Sequence, residues 1–118
     1  MELFEGISSD TSIHTRLDIS SIIQTSVEKE DGRSLKDIAL YLNSESGEVA
    51  DWLLNPQKQK EGLLGECSDV IICAVDLAFQ YLRTQPAYST LDDKSLANIL
   101  SIILEETIDE KCAKWAGK

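Results

Sequence analysis

Four carboxylates stand where the helical pattern of this chain calls for apolar side chains. Leu42, Glu45, Val49 and Trp52 follow one another at steps of three and four, so Glu45 occupies an apolar phase. Glu48, three residues on, lies on the same side of the helix, and residues so spaced bring their Cβ atoms to about 5–6 Å. The arrangement recurs downstream, where Glu66 interrupts the line from Leu63 to Val70 and Asp69 follows three residues later. Two charges about 4 Å apart at an effective dielectric of about 20 repel by about 4 kcal/mol. Protonation, solvation or a cation must relieve the repulsion. Oxygen ligands without histidine or thiolate suit Mg²⁺, Mn²⁺ or Ca²⁺ rather than zinc or copper. Mg²⁺ commonly shares itself between carboxylates and substrate phosphates, so such a cluster can grip a pyrophosphate group. E-x-x-E and E-x-x-D are common on solvated helix faces. The displacement of an apolar stripe on two consecutive helices is what sets these apart. A di-iron bundle needs Glu-x-x-His elements, and the sole histidine, His14, is not placed to supply one.

Four helices are expected to position these groups. The first runs from about Arg16 to Glu30 behind an irregular arm of residues 1–15. The second opens at Ser34, with Asp37 three residues on as a capping-box partner. It carries Leu35, Ile38, Ala39, Leu42, Val49, Trp52 and Leu53 on its stripe and stops before Pro56. The third starts near 58–62 and ends near Arg83, with Cys67, Val75, Ala78, Tyr81 and Leu82 on its stripe. From Val70 to Ala78 it is apolar nearly all round, which marks the central helix of a bundle. The fourth runs from about Asp93 to Trp115, with Leu96, Leu100, Ile103, Ile108 and Cys112 inward. No strand signal occurs. The short connection after Pro56 makes the second and third helices antiparallel neighbours, so that the two carboxylate pairs can face each other. The fold class is all-α: a four-helix, bundle-like single domain over 1–118, completed by dimerisation.

Composition narrows the partners. The formal net charge is −10, from 21 acidic and 11 basic residues, which argues against nucleic acid or an anionic membrane. A nucleotide is still admissible, because a bound cation reverses the local sign. Three cysteines and no C-x-x-C suggest neither a disulfide framework nor a zinc site. No segment approaches the roughly 20 apolar residues that span a bilayer, and no signal peptide is visible at the start. A cytoplasmic location is expected.

At the carboxylates the chain resembles a known family. E-S-G-E-V (Glu45 to Val49) followed by E-C-S-D-V (Glu66 to Val70) is similar to the E-x-x-E…E-x-x-D signature of the MazG-like pyrophosphohydrolases, and Glu61-Gly62-Leu63-Leu64-Gly65-Glu66 resembles the approach to the second motif. The resemblance covers about residues 34–83 and does not reach the first 33. Many members carry a further glutamate directly before the first motif glutamate; here that position is Ser44. The resemblance implies Mg²⁺-dependent hydrolysis of a (deoxy)nucleoside triphosphate between the α- and β-phosphates, giving a monophosphate and pyrophosphate, with Mn²⁺ as a substitute cation. It implies Glu45, Glu48, Glu66 and Asp69 as metal ligands, Glu45 or Glu48 as the base that activates water, and a homodimer or homotetramer. Lys111 and Lys114 are candidates for the phosphates, against the alternative of charges that suit a helix C-terminus. Trp52 is a candidate for stacking on the base, against a place in the core. Asp76 could support the cluster, against a solvated or capping role. The other class of function is a catalytically silent acidic helical adaptor.

Overall fold

The computed structural model describes residues 11–29 and 32–117. All regular structure among them is helical, as the sequence pattern predicts: α1 (Ser20–Glu28), α2 (Leu35–Leu54), α3 (Leu63–Arg83) and α4 (Asp93–Ala116), with one 3-10 turn at Pro56–Lys58. The first ten residues of the expected arm, together with Glu30 and Asp31, lie outside the described residues. Residues 11–19 carry no regular structure. Helix α1 begins four residues later than Arg16. The side chain of Asp18 accepts the backbone N–H of Ser20 at 2.9 Å, a local bond that competes with helix at that point. Helix α2 starts on the capping box: Ser34 Oγ accepts from the Asp37 N–H at 3.0 Å, and Asp37 Oδ2 accepts from the Ser34 N–H at 3.3 Å. Helix α4 starts on Asp92, whose carboxylate accepts the Ser95 N–H at 2.8 Å.

The core forms where α1, α3 and α4 meet. Ile23 of α1, Val75, Phe79 and Leu82 of α3, and Leu96 and Leu100 of α4 are its buried side chains. Ile19, Ile22, Val27, Ala97 and Ile103 close around them. Helix α3 touches all three other helices, whereas α2 and α4 do not meet among the described residues. The apolar stretch Val70–Ala78 therefore does belong to a central helix. Among the described residues α2 has only α3 as an α-helical neighbour, and Ala39 and Leu53, which the periodicity places on its inward stripe, are exposed. Tyr81 and Ile108 are exposed as well. Past Leu104, α4 stands off the bundle, and of Glu105–Gly117 only Thr107 is partly covered.

Helices α2 and α3 run antiparallel. Position 52 of α2 lies beside 61, positions 45 and 48 beside 66, and position 35 beside 78 and 81. Arg33, just ahead of α2, reaches Asp76. Falling numbers on one helix thus meet rising numbers on the other. The C-terminal half of α3 is committed to the core, and its N-terminal half is left to face the middle of α2. No helix among the described residues is long and apolar enough to cross a membrane.

Candidate metal centre

The antiparallel pairing brings the carboxylates of the two motifs together. Oxygens of Glu45, Glu48 and Glu66 lie within 4.8 Å of one another, and so do oxygens of Glu61, Glu66 and Asp69. Glu66 belongs to both groups. All four carboxylates expected from the spacing are therefore present in one cluster, and Glu61 joins them as a fifth. Glu61 lies in the turn ahead of α3, where no helical periodicity applies, so no stripe rule could single it out. The only signal available was its place in the run Glu61–Glu66 that leads into the second motif.

Glu66 is the buried member. It is 8% exposed, and its Oε1 is shielded from solvent with no hydrogen-bond partner among the described residues. A buried carboxylate without a donor is costly. Burial pushes the Glu66 carboxyl above its ordinary value, and Glu61, Glu48, Asp69 and Glu45 push it the same way. Glu45 is half-buried and is likewise raised, first by burial and then by Glu48, Asp69 and Glu61. No lysine or arginine pairs with any of the five among the described residues. The donor set is all oxygen and strongly negative, which fits a hard divalent cation of the Mg²⁺ or Mn²⁺ kind.

Trp52 is neither fully buried nor free. Its indole N–H donates to the backbone carbonyl of Glu61 at 2.8 Å. It thereby ties the turn ahead of α3 to the last turns of α2, one helical turn past Glu48.

Next to the cluster lies a cleft of about 830 Å³, lined by Lys29 and Arg33 ahead of α2, by Asp37, Ile38, Leu40, Tyr41 and Ser44 of α2, and by Cys73 and Asp76 of α3. Ser44 adjoins Glu45 in the chain, and Cys73 lies one turn beyond Asp69. The Cys73 thiol is pushed up by burial, then by Glu45, Asp76 and Asp69, which disfavours the thiolate. Asp76 is not the solvated residue that its position suggested. Arg33 Nη1 and Nη2 donate to its two oxygens at 2.7 and 3.2 Å, and Ser26 Oγ donates at 2.5 Å. Gln80 Nε2 in turn donates to Ser26 Oγ at 2.8 Å. This fork fixes one wall of the cleft and ties α1 to α3. Lys111 and Lys114 lie on the exposed final turns of α4, and no hydrogen bond or ion pair among the described residues joins them to the carboxylates. The cations that line the cleft are Lys29 and Arg33.

No family model, no curated protein and no solved structure matches this chain.

Proposed function

We propose that this chain is a divalent-cation-dependent nucleoside triphosphate pyrophosphohydrolase of the MazG-like kind. The observation that carries the reading is Glu66: a buried carboxylate with an unpartnered oxygen, set among four other carboxylates; a ligand-sized cleft is lined by Ser44 and Cys73, near the cluster in the chain. Such a cluster is poorly explained as a solvated surface and well explained as a cation site. Glu45, Glu48, Glu66 and Asp69 are its ligands, and Mg²⁺ is the expected occupant. When bound, the cation offsets the charge of a triphosphate and stabilises the charge that develops on the leaving group.

The residues of the chain supply the rest. The cleft volume falls within the usual range of about 300–1,000 Å³ for small-ligand sites. Ile38, Leu40 and Tyr41 give it an apolar wall for a nucleoside, and Asp37, Ser44 and Asp76 give it polar groups. Lys29 and Arg33 line the same cleft, where Arg33 is already paired with Asp76. In hydrolysis at the α-phosphorus, the water oxygen joins that phosphorus, and the bridging oxygen leaves with the β-phosphate. The water proton passes to a carboxylate. Glu45 or Glu48 is the candidate for that role. Assay of pyrophosphate release from a panel of (deoxy)nucleoside triphosphates is the direct test. Release should occur with Mg²⁺ and cease in excess chelator. Release that persists in chelator would overturn the mechanism, and no release across the panel would favour the acidic adaptor.

The same reading includes a homodimer or a dimer of dimers. Leu54 and Leu64 are 78% and 81% exposed, and Trp115 is 75% exposed on the part of α4 that stands clear of the bundle. A hollow lined by Leu35, Leu42, Ala74, Leu77, Ala78 and Tyr81 lies between α2 and α3. A second copy of the chain would cover such surfaces. Light scattering at micromolar concentration is expected to give at least twice the monomer mass, and a monomer would contradict it.

A further inference from the structure

We propose that Trp52 and Gln59 are positioning residues, which pin the connection ahead of α3 to the last turn of α2 and so keep the two carboxylate pairs convergent. The inference rests on reading the cluster as a cation site, and the two can fail separately in the experiment below.

Apolar packing does not explain how the pairs stay together. Ile38 is the buried side chain of α2, and it lies in the first turn, away from the connection to α3. Between it and Val75, where the core begins on α3, Glu66 is the only buried side chain among the described residues. A helix is ordinarily held by the apolar face it buries. At the end of the α2–α3 pair that carries the cluster, such burial is thin. The same end carries five carboxylates, and like charges at this range repel. Repulsion thus drives the two elements apart where their oxygens must lie within 4.8 Å of one another.

Two polar ties oppose it. The Trp52 indole N–H holds the backbone carbonyl of Glu61 at 2.8 Å. Gln59 supplies the other tie. Its Nε2 donates to Asp51 Oδ2 at 3.0 Å and to the Asn55 carbonyl, at the C-cap of α2, at 2.9 Å. Asn55 Nδ2 donates to the second Asp51 oxygen at 2.9 Å. Gln59, then Asn55, hold the Asp51 carboxyl below its ordinary value, so it accepts both bonds as a carboxylate. Asp51 and Trp52 stand one turn past Glu48, and Gln59 and Glu61 lead directly into Glu66. Between the two grips the chain makes the 3-10 turn Pro56–Lys58, where proline fixes the backbone. Gly65 leaves room for the Glu61 side chain beside the tie, since a Cβ built there would fall 2.5 Å from Glu61 Oε2. Neither Trp52 nor Gln59 carries a carboxylate, so any effect of theirs on a cation passes through geometry.

Titration of the protein with Mn²⁺, without nucleotide and well below the melting transition, tests the assignment through the paramagnetic resonance signal of the free ion. Trp52→Phe keeps an aromatic ring and removes the N–H. Gln59→Leu removes the amide. Each variant is expected to weaken Mn²⁺ binding about tenfold, as loss of a group that orients metal ligands does, while its helical circular dichroism matches the wild type. Ile23→Val trims the core on α1 and is the control for a general loss of stability. It should melt lower and bind Mn²⁺ with wild-type affinity. Wild-type affinity in either Trp52→Phe or Gln59→Leu would overturn the assignment and leave the cation site standing. An equal weakening in Ile23→Val would overturn it too, since the effect would then be loosening of the whole fold. A wild type that binds no Mn²⁺ would overturn the cation reading and the positioning with it.

Discussion

Replacing Glu66 with glutamine should reduce turnover on the order of 10³-fold and, without cations, make the protein more stable at neutral pH. The two halves have one cause. Glu66 is buried at the meeting point of four other carboxylates. Its charge attracts a cation and is a liability when the cation is removed. Burial, then Glu61, Glu48, Asp69 and Glu45, raise its folded-state pKa above the ordinary 4.5. The folded chain therefore holds this proton to higher pH than the unfolded chain does. The associated stability is fully present below pH 4.5 and is lost as pH rises through the raised folded-state pKa. Glutamine removes the ionisation and keeps the shape. In chelator, Glu66→Gln should melt above the wild type at neutral pH, and the advantage should shrink below pH 4.5. Added Mg²⁺ should raise the melting temperature of the wild type more than that of the variant. Thermal melts with and without Mg²⁺, together with turnover, check both halves. Full activity, or a lower melting temperature in chelator at neutral pH, would remove Glu66 from the proposed role.

Phe79→Ala should have the largest effect on stability. Phe79 has no exposed surface and lies at the centre of the contact between α1, α3 and α4. Deleting a buried phenylalanine side chain loses its transfer free energy and leaves a cavity, for about 3–5 kcal/mol in total. The melting temperature should fall on the order of 15 °C. The carboxylates lie on α2, on the first turns of α3 and just ahead of it, away from Phe79, so the fraction still folded at low temperature should bind Mn²⁺ normally. Chemical denaturation and a Mn²⁺ titration of the same sample separate the two effects. A loss below 1 kcal/mol would mean that the core is organised around another side chain.

The difference between these two residues reflects what a sequence can express. Helix α2 was readable to its ends because its signals are local: Ser34 and Asp37 close a capping box, and Pro56 stops the pattern. The phases of Glu45 and Glu66 were readable because each interrupts a stripe on its own helix. The meeting of the pairs followed from a short connection between antiparallel neighbours. Glu61 was not readable as a cluster member, since its position depends on a bond from Trp52 and on the absent side chain of Gly65. The sequence left Asp76 between a support for the cluster and a solvated or capping role, because its partners, Ser26 and Arg33, stand 50 and 43 positions earlier. Periodicity also carries no information on how many neighbours a helix has, so it places Ala39, Leu53 and Ile108 inward although they are exposed among the described residues. The same limit applies to Lys111 and Lys114: their spacing along α4 does not reveal that its end leaves the bundle.

The most direct measurement is chromatographic separation of the products of one turnover, with the protein in excess over a nucleoside triphosphate and Mg²⁺ present. A carboxylate cluster does not by itself select the anhydride that breaks. The chain has no G-x-x-x-x-G-K-[ST] pattern, and so lacks the backbone cradle that presents a γ-phosphate. Attack at the α-phosphorus should yield nucleoside monophosphate and pyrophosphate in equal amounts, with no diphosphate passing through as an intermediate. Appearance of nucleoside diphosphate and orthophosphate would place the cleavage at the γ-phosphate and would contradict the account.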